Sequence, residues 1–299
     1  MSGERKRYRV VHRTEYEYGL PVELAHNEAR LRPRSFRSQR CLMTELSIDP
    51  VPTVVRDRFD YFGNAATYFA LALPDRRLTV VATSEVEVIA PREDEALAFS
   101  SSWEEVRDRL AESSATNLLE AREYILDSPM VAASEALRDY ARESFPAGRP
   151  LFAAVSDLVR RIYVDFRYDP DSTTIGTPLA SVLEQRRGVC QDFAHLAIGC
   201  LRSFGLAARY VSGYIDSAPV GIGREAAGTD ASHAWVSVFD PVVGWLDVDP
   251  TNDQVPARQH VTLGWGRDYA DVAPLKGVLI GGGEHTLAVS VEFRRVEPT

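Results

Sequence analysis

The sequence predicts an α+β protein in which a small β-rich domain precedes a mixed core of helices and antiparallel strands. Three observations carry that expectation. The first ninety residues fall into short runs rich in Val, Tyr and Thr, broken by Gly and Pro. At Pro91 the composition turns acidic and rich in Ala, Leu and Glu, which favours helix. From residue 178 onward, helical patterns come first and strand patterns follow.

In order, Tyr8–Tyr18 reads as a strand broken by Gly19-Leu20-Pro21. Thr44–Ile48, Thr67–Leu73 and Leu78–Ile89 follow, separated by turns such as Asp49-Pro50 and Gly63-Asn64, the spacing of a small sandwich or open barrel. Ser101-Ser102-Trp103-Glu104 offers a helix N-cap, and Ser128-Pro129 starts another helix by placing Pro at its first position. Pro150–Phe166 carries Leu151, Val155, Leu158, Val159 and Ile162 at helical spacing. Pro178–Arg187 and Cys190–Phe204 read as two helices joined at Gly188, followed by strands at Ala208–Ile215, His233–Phe239 and Trp245–Val248. Ser217–Ser232 holds three glycines and little pattern, which predicts a mobile loop beside the site. Residues 284–293 form a last alternating strand. The chain thus divides into a β-rich domain (1–90), a helical connecting segment (91–149), a catalytic core (150–275) and a C-terminal strand (276–299).

The 299 residues are 45% hydrophobic and 26% charged, as in soluble globular proteins. The polar, basic start MSGERKRYRV has no apolar stretch like a secretion signal, and no later run approaches the ~18 apolar residues of a membrane span. A cytoplasmic protein without a membrane partner is expected. The net charge of −9 argues against a nucleic-acid partner. The Arg-rich stretch Arg30–Arg40 reads as a solvated β-connection rather than an anion site. Three widely spaced cysteines, Cys41, Cys190 and Cys200, suggest neither a disulfide framework nor a zinc knuckle. No cofactor is implied, and nothing in the pattern speaks to oligomeric state.

The chemistry is most legible around Arg187-Gly188-Val189-Cys190-Gln191-Asp192-Phe193-Ala194-His195. Gly188 permits a tight turn, and Cys190 falls in the first turn of a helix, where unpaired N–H groups and the helix dipole favour a thiolate. Those N–H groups also suit an oxyanion. Taken alone, Cys190 reads equally as a buried structural cysteine. A nucleophilic thiol needs a base, and the base an orienting partner. His195 is carried round the helix away from the thiol and reads as packing or hydrogen bonding, while His12, His26, His260 and His285 lack a convincing partner nearby in sequence. His233 differs. A hairpin centred near residue 241 sets His233 opposite Asp249, although a bulge would bring Asp247 nearer. Joined to this hairpin, Cys190 reads as a nucleophile. A zinc site built from Cys190, His195, His233 and Asp249 would be an unusual catalytic set. Tyr168 and Trp235 are candidates to line the cleft, equally well explained as core aromatics, and Gln191 adjoins the thiol.

Together, Gly188-Val189-Cys190-Gln191-Asp192-Phe193-Ala194, Ala208-Arg209-Tyr210-Val211-Ser212-Gly213-Tyr214, His233-Ala234-Trp235 and Asp249-Pro250-Thr251 resemble the transglutaminase-like superfamily. The segments His12-Arg13-Thr14-Glu15-Tyr16-Glu17-Tyr18, Leu31-Arg32-Pro33-Arg34 and Phe62-Gly63-Asn64 resemble the β-rich domain in front of this core in bacterial members. The resemblance implies a papain-like core with Cys190 as nucleophile, His233 as base and Asp249 as orienting acid. It also implies a second oxyanion donor from Phe166–Tyr168 and a peptide or protein substrate. A thioester on Cys190 would pass to water in a peptidase or amidase, or to a primary amine in a transglutaminase. A non-catalytic interaction scaffold is the rival from a different class.

Overall fold

The computed structural model describes residues 5–72, 74–89, 101–216, 232–256 and 259–296. Strand β1 (Arg5–Ala29) is the spine of an antiparallel seven-stranded sheet. Its first half lies between β5 (Asp75–Ile89) and β13 (His285–Val296), and its second half between β4 (Ala65–Leu71) and β12 (Leu275–Gly281). Strand β2 (Gln39–Asp49) extends the sheet beyond β5, and β3 (Val54–Phe59) extends it beyond β4. The expected break at Gly19-Leu20-Pro21 is instead an irregularity at which β1 changes partners. The register with β5 shifts between Glu17 and Val22, while the N–H groups of Gly19 and Leu20 bond Glu284 O (2.8 Å) and Gly282 O (2.9 Å). Proline is tolerated at such a bulge because its missing N–H costs no ladder bond. Two C-terminal strands, not one, return to this sheet.

The helical stretch begins with α1 (Trp103–Glu112), whose expected N-cap is present: Ser102 accepts from Glu105 N–H, and the Glu105 carboxylate accepts from Ser102 N–H. Helix α2 (Thr116–Arg122) follows. Pro129 does not start a helix. Ser128 and Val131 instead close a tight turn, and α3 (Glu135–Ala141) begins after Ser134, whose hydroxyl caps Leu137 N–H. The remaining elements are α4 (Leu151–Asp165), β6 (Arg167–Tyr168), α5 (Leu179–Gln185), β7 (Arg187–Gly188), α6 (Cys190–Ser203), β8 (Ala208–Ile215), β9 (Ser232–Asp240), β10 (Gly244–Val248), β11 (His260–Gly266) and the short α7 (Tyr269–Val272). The last strands form a four-stranded antiparallel sheet in the order β10-β9-β8-β11. Helix α6 packs on it, burying Phe193, Leu196, Ala197 and Cys200 in one cluster with Leu158 and Ile162 of α4 and Ala234, Val236 and Val238 of β9. The result is an α+β, papain-like core preceded by a β-rich domain. Among the described residues, no helix is long and apolar enough to cross a membrane.

The Arg-rich stretch is not wholly a solvated connection. Arg30 is buried and ion-paired with Asp60 (2.9 Å) and Glu28 (3.2 Å). Arg34 lies 3.7 Å above the Trp265 ring centroid. Arg209 lies 3.8 Å from the same centroid, so the two cations take opposite faces of the indole. Beside this stack, the outer edge of β11 is covered by two side-chain amides. Gln39 donates to Thr262 O and accepts from Thr262 N–H, both at 2.7 Å; Asn64 does the same for Trp265 O and N–H, at 2.9 and 3.0 Å. A Cβ on Gly264 would lie 2.6 Å from Asn64 Oδ1, so a residue without a side chain is needed for this approach.

Candidate active site

Cys190 is the first residue of α6 and is half-buried. The path to it differs from the expected tight turn at Gly188. The left-handed residue is Arg186 (φ 55°), which ends α5; Gly188 belongs to β7, which pairs in parallel with β6. Gly188 is needed for space, because a Cβ there would lie 2.7 Å from Asp192 Oδ2. That carboxylate turns back to accept from Val189 N–H (2.8 Å) and the Thr173 hydroxyl (2.7 Å), which fixes the first turn of the helix under the thiol. Burial raises the Asp192 carboxyl above its ordinary range, while these two hydrogen bonds oppose the rise.

His233, near the start of β9, donates from Nε2 to Asp249 Oδ2 at 2.8 Å, and Cys190 is near enough to help raise the imidazole. With Nε2 taken by the carboxylate, Nδ1 is the nitrogen left for the sulfur. The hairpin register is two residues from the expected one. Val248 stands opposite Val236, which continues to place Asp249 opposite Trp235 rather than His233. A shift of two preserves the face of every side chain, so His233 and Asp249 meet as diagonal neighbours. Asp247 instead accepts from Trp235 Nε1 at 3.1 Å.

Asp249 is fully buried and densely bonded. Its Oδ1 accepts from the N–H groups of Thr251 (2.9 Å) and Asn252 (3.3 Å). Its Oδ2 accepts from His233 Nε2, Asn252 Nδ2 (2.7 Å) and His260 Nε2 (3.2 Å). The surrounding turn is closed by Asp249 N–H to Gln254 O at 2.8 Å. Burial alone would raise the carboxyl, but the charge and hydrogen bond of His233, with the hydrogen bond of His260, hold it well below the usual carboxylate range. Burial would likewise lower His233, yet the Asp249 charge and hydrogen bond, with Cys190, raise it to about 10.

The structure thus brings Cys190, His233 and Asp249 together. Tyr168 is half-buried on β6, its ring edge-on to Phe193 at 6.4 Å, and Gln191 is half-buried beside the thiol. Trp235 is fully buried and packs near the His233 ring (centroids 6.1 Å apart), so it is a core aromatic behind the imidazole and not a cleft wall. His195 accepts from Tyr269 N–H at 3.2 Å, apart from the thiol, and burial lowers it to about 4. The expected loop at Ser217–Ser232 lies outside the described residues except for Ser232.

His260 is the site residue that sequence reasoning missed. It reaches Asp249 through the pairing of β11 with β8, and no local spacing signals that contact. His233, Asp249 and His260 place three possible metal-ligand atoms within 4.8 Å of one another. Asn252 Nδ2, 2.7 Å from Asp249 Oδ2 and 3.3 Å from His233 Nε2, puts N–H donors between them, which fits a hydrogen-bonded cluster better than a metal centre.

Comparison with known proteins identifies the family. Residues 8–87 match the bacterial transglutaminase-like N-terminal region, and residues 138–250 match the transglutaminase-like superfamily. An uncharacterized protein of Mycobacterium tuberculosis is 42% identical over 296 residues, covering 96% of this chain and 92% of that protein. A protein-glutamine gamma-glutamyltransferase of Pseudomonas aeruginosa is 31% identical over 155 residues, covering 48% of this chain and 22% of that protein. Among solved structures, a candidate cysteine protease of Cytophaga hutchinsonii superposes with a TM-score of 0.77 at 18% identity, covering 100% of this chain and 93% of that one, a likeness of fold. The chain therefore belongs to the transglutaminase-like superfamily, with a bacterial transglutaminase-like N-terminal region ahead of its core.

Proposed function

We propose that the chain is a cysteine-dependent peptidase or amidase acting on a peptide or protein through Cys190, His233 and Asp249. The observation that carries this reading is the His233 ring held between the Cys190 thiol and a fully buried carboxylate at 2.8 Å. In this mechanism His233 takes the proton of the Cys190 thiol and is held as an imidazolium by Asp249, whose charge and hydrogen bond raise it against burial to about 10. The thiolate attacks the amide carbonyl, and the N–H of Cys190, unpaired within the first turn of α6, is placed to bind the oxyanion. His233 then protonates the leaving amine as the C–N bond breaks, leaving a thioester on Cys190 and a neutral imidazole. Water, losing a proton to His233, resolves the thioester to an acid and restores the thiolate and imidazolium. Tyr168 and Gln191 flank this path and are the proposed substrate contacts. The second oxyanion donor is assigned to the Phe166–Tyr168 segment by resemblance to the family alone.

A second reading, transfer of the acyl group to a primary amine, is favoured by the similarity to the Pseudomonas protein-glutamine gamma-glutamyltransferase. Incubation with a peptide library, with and without a primary amine, followed by mass spectrometry, separates the two. Cleaved or deamidated products support hydrolysis, and amine-bearing products support transfer. Absence of all three, or full turnover retained by Cys190→Ala, overturns the mechanism and favours an interaction scaffold.

A further inference from the structure

His260 opens β11 opposite Ile215 of β8 and is buried. Its Nε2–H donates to Asp249 Oδ2 at 3.2 Å, the oxygen that also accepts from His233 at 2.8 Å. The Trp235 ring stands edge-on to it at 5.1 Å. Its Nδ1 is buried with no hydrogen-bond partner among the described residues. A second proton would therefore create an unsatisfied buried cation, which is far costlier than a bare lone pair. The charged groups around the ring are His233 on β9, Asp247 on β10 and Asp249 in the turn after it. Burial and the charge of His233 oppose charging and outweigh the two carboxylates, lowering His260. One carboxylate oxygen thus serves two imidazoles in different states, one charged against the thiol and one neutral.

Asp249 does not need His260 to stay in place. Thr251 N–H, Asn252 N–H and Asn252 Nδ2 already anchor both of its oxygens. What His260 adds is a competing donor on the oxygen that holds His233. We propose that His260 is a positioning residue that shares Asp249 Oδ2 with His233 and so limits how tightly the carboxylate holds the imidazolium. The consequence is chemical, since the more tightly Asp249 holds the Nε2–H, the less readily His233 surrenders its Nδ1 proton to the leaving amine. This inference rests on the mechanism proposed above.

The test is the pH dependence of Cys190 carboxymethylation by iodoacetate in the full chain, for the unmodified protein, His260→Gln and His260→Leu. Iodoacetate is drawn by the imidazolium, so its rate falls where His233 loses its proton. His260→Leu removes the donor and should move that alkaline limb upward by about half a pH unit. Turnover of a substrate should fall about two- to threefold in kcat with KM unchanged. His260→Gln keeps an N–H donor and should retain the original limb. A limb that stays or moves downward in His260→Leu overturns the proposal, as does a Gln variant that behaves like Leu. If the Leu variant does not fold, ¹⁵N NMR of the unmodified protein decides: His260 should be neutral and protonated at Nε2 at about pH 7 to 8. A charged ring or the opposite tautomer there overturns the proposal. A Cys190 that reacts no faster than Cys41 in the unmodified protein removes the enzymatic mechanism itself, and the inference with it.

Discussion

The two ends of α6 carry the same side chain to opposite fates. At the N-terminal end, Cys190 is half-buried, starts the helix and touches His233. Towards the C-terminal end, Cys200 is fully buried, donates weakly to Leu137 O at 3.5 Å, and is pushed up to about 12 by burial. Near it, Gly199 lets Leu137 and Leu179 approach closely, and the buried Arg202 donates to the backbone of Tyr124, Val131, Ala208 and Arg267. That end is built to exclude solvent and bind helices together. The contrast shows that reactivity here comes from position and partner and not from residue type.

The largest effect should come from removing each sulfur in turn. Cys190→Ala should lower turnover by at least about 1,000-fold with an unchanged melting temperature. Cys200→Ala should keep turnover and cost about 1 to 2 kcal/mol in urea denaturation, the loss expected of a small buried apolar group. Equal losses of turnover would erase the contrast. Next, iodoacetamide should label Cys190 on the order of 100 times faster than Cys200 in the folded chain, with the rates converging in denaturant; peptide mapping reads both.

Acid sharpens the comparison from the middle of the helix. His195 titrates near 6.5 when unfolded and at about 4 when folded, because burial disfavours its charge. Between those values the unfolded chain binds the extra proton, so stability falls as pH drops, by about 2 kcal/mol at pH 5. His233 runs the other way. Raised to about 10, it contributes stability fully below about pH 6.5 and loses it as pH rises through 10. Urea melts of His195→Gln should show a flatter acid limb and an unchanged alkaline one. The smallest effects separate the two glycines. Gly188→Ala forces a Cβ to 2.7 Å from Asp192 Oδ2, and should cost about 1 to 2 kcal/mol and slow Cys190 labelling several-fold. Gly199→Ala meets the flexible tip of Leu137 at 2.8 Å and should cost about 1 kcal/mol while Cys190 labelling stays unchanged.

Much of the fold was legible because its signals are local. Periodicity places α4, α6 and β8 within a residue of their bounds, and Cys190, His233 and Asp249 stand out as a thiol at a helix start and a His–Asp pair on one hairpin face. The same-face pairing survives a register error of two residues because strand side chains repeat every two. Contacts that depend on distant pairing leave no such trace. β12 joins the sheet only through β1, and His260 reaches Asp249 only once β11 lies on β8. Arg30 and Arg34 read as solvated because nothing near them in sequence shows that Asp60 and Trp265 await them.

The amides of Gln39 and Asn64 on β11 imply a rule for trimming this protein. They stand in for a missing fifth strand, occupying the outward N–H and C=O groups of Thr262 and Trp265. A fragment cut to the core alone would leave that edge bare, and a bare edge is a template for another chain. Such a fragment should come out of cells as aggregate even with every site residue present. The front domain, whatever else it does, works as a permanent guard on the rim of the sheet that carries the histidines.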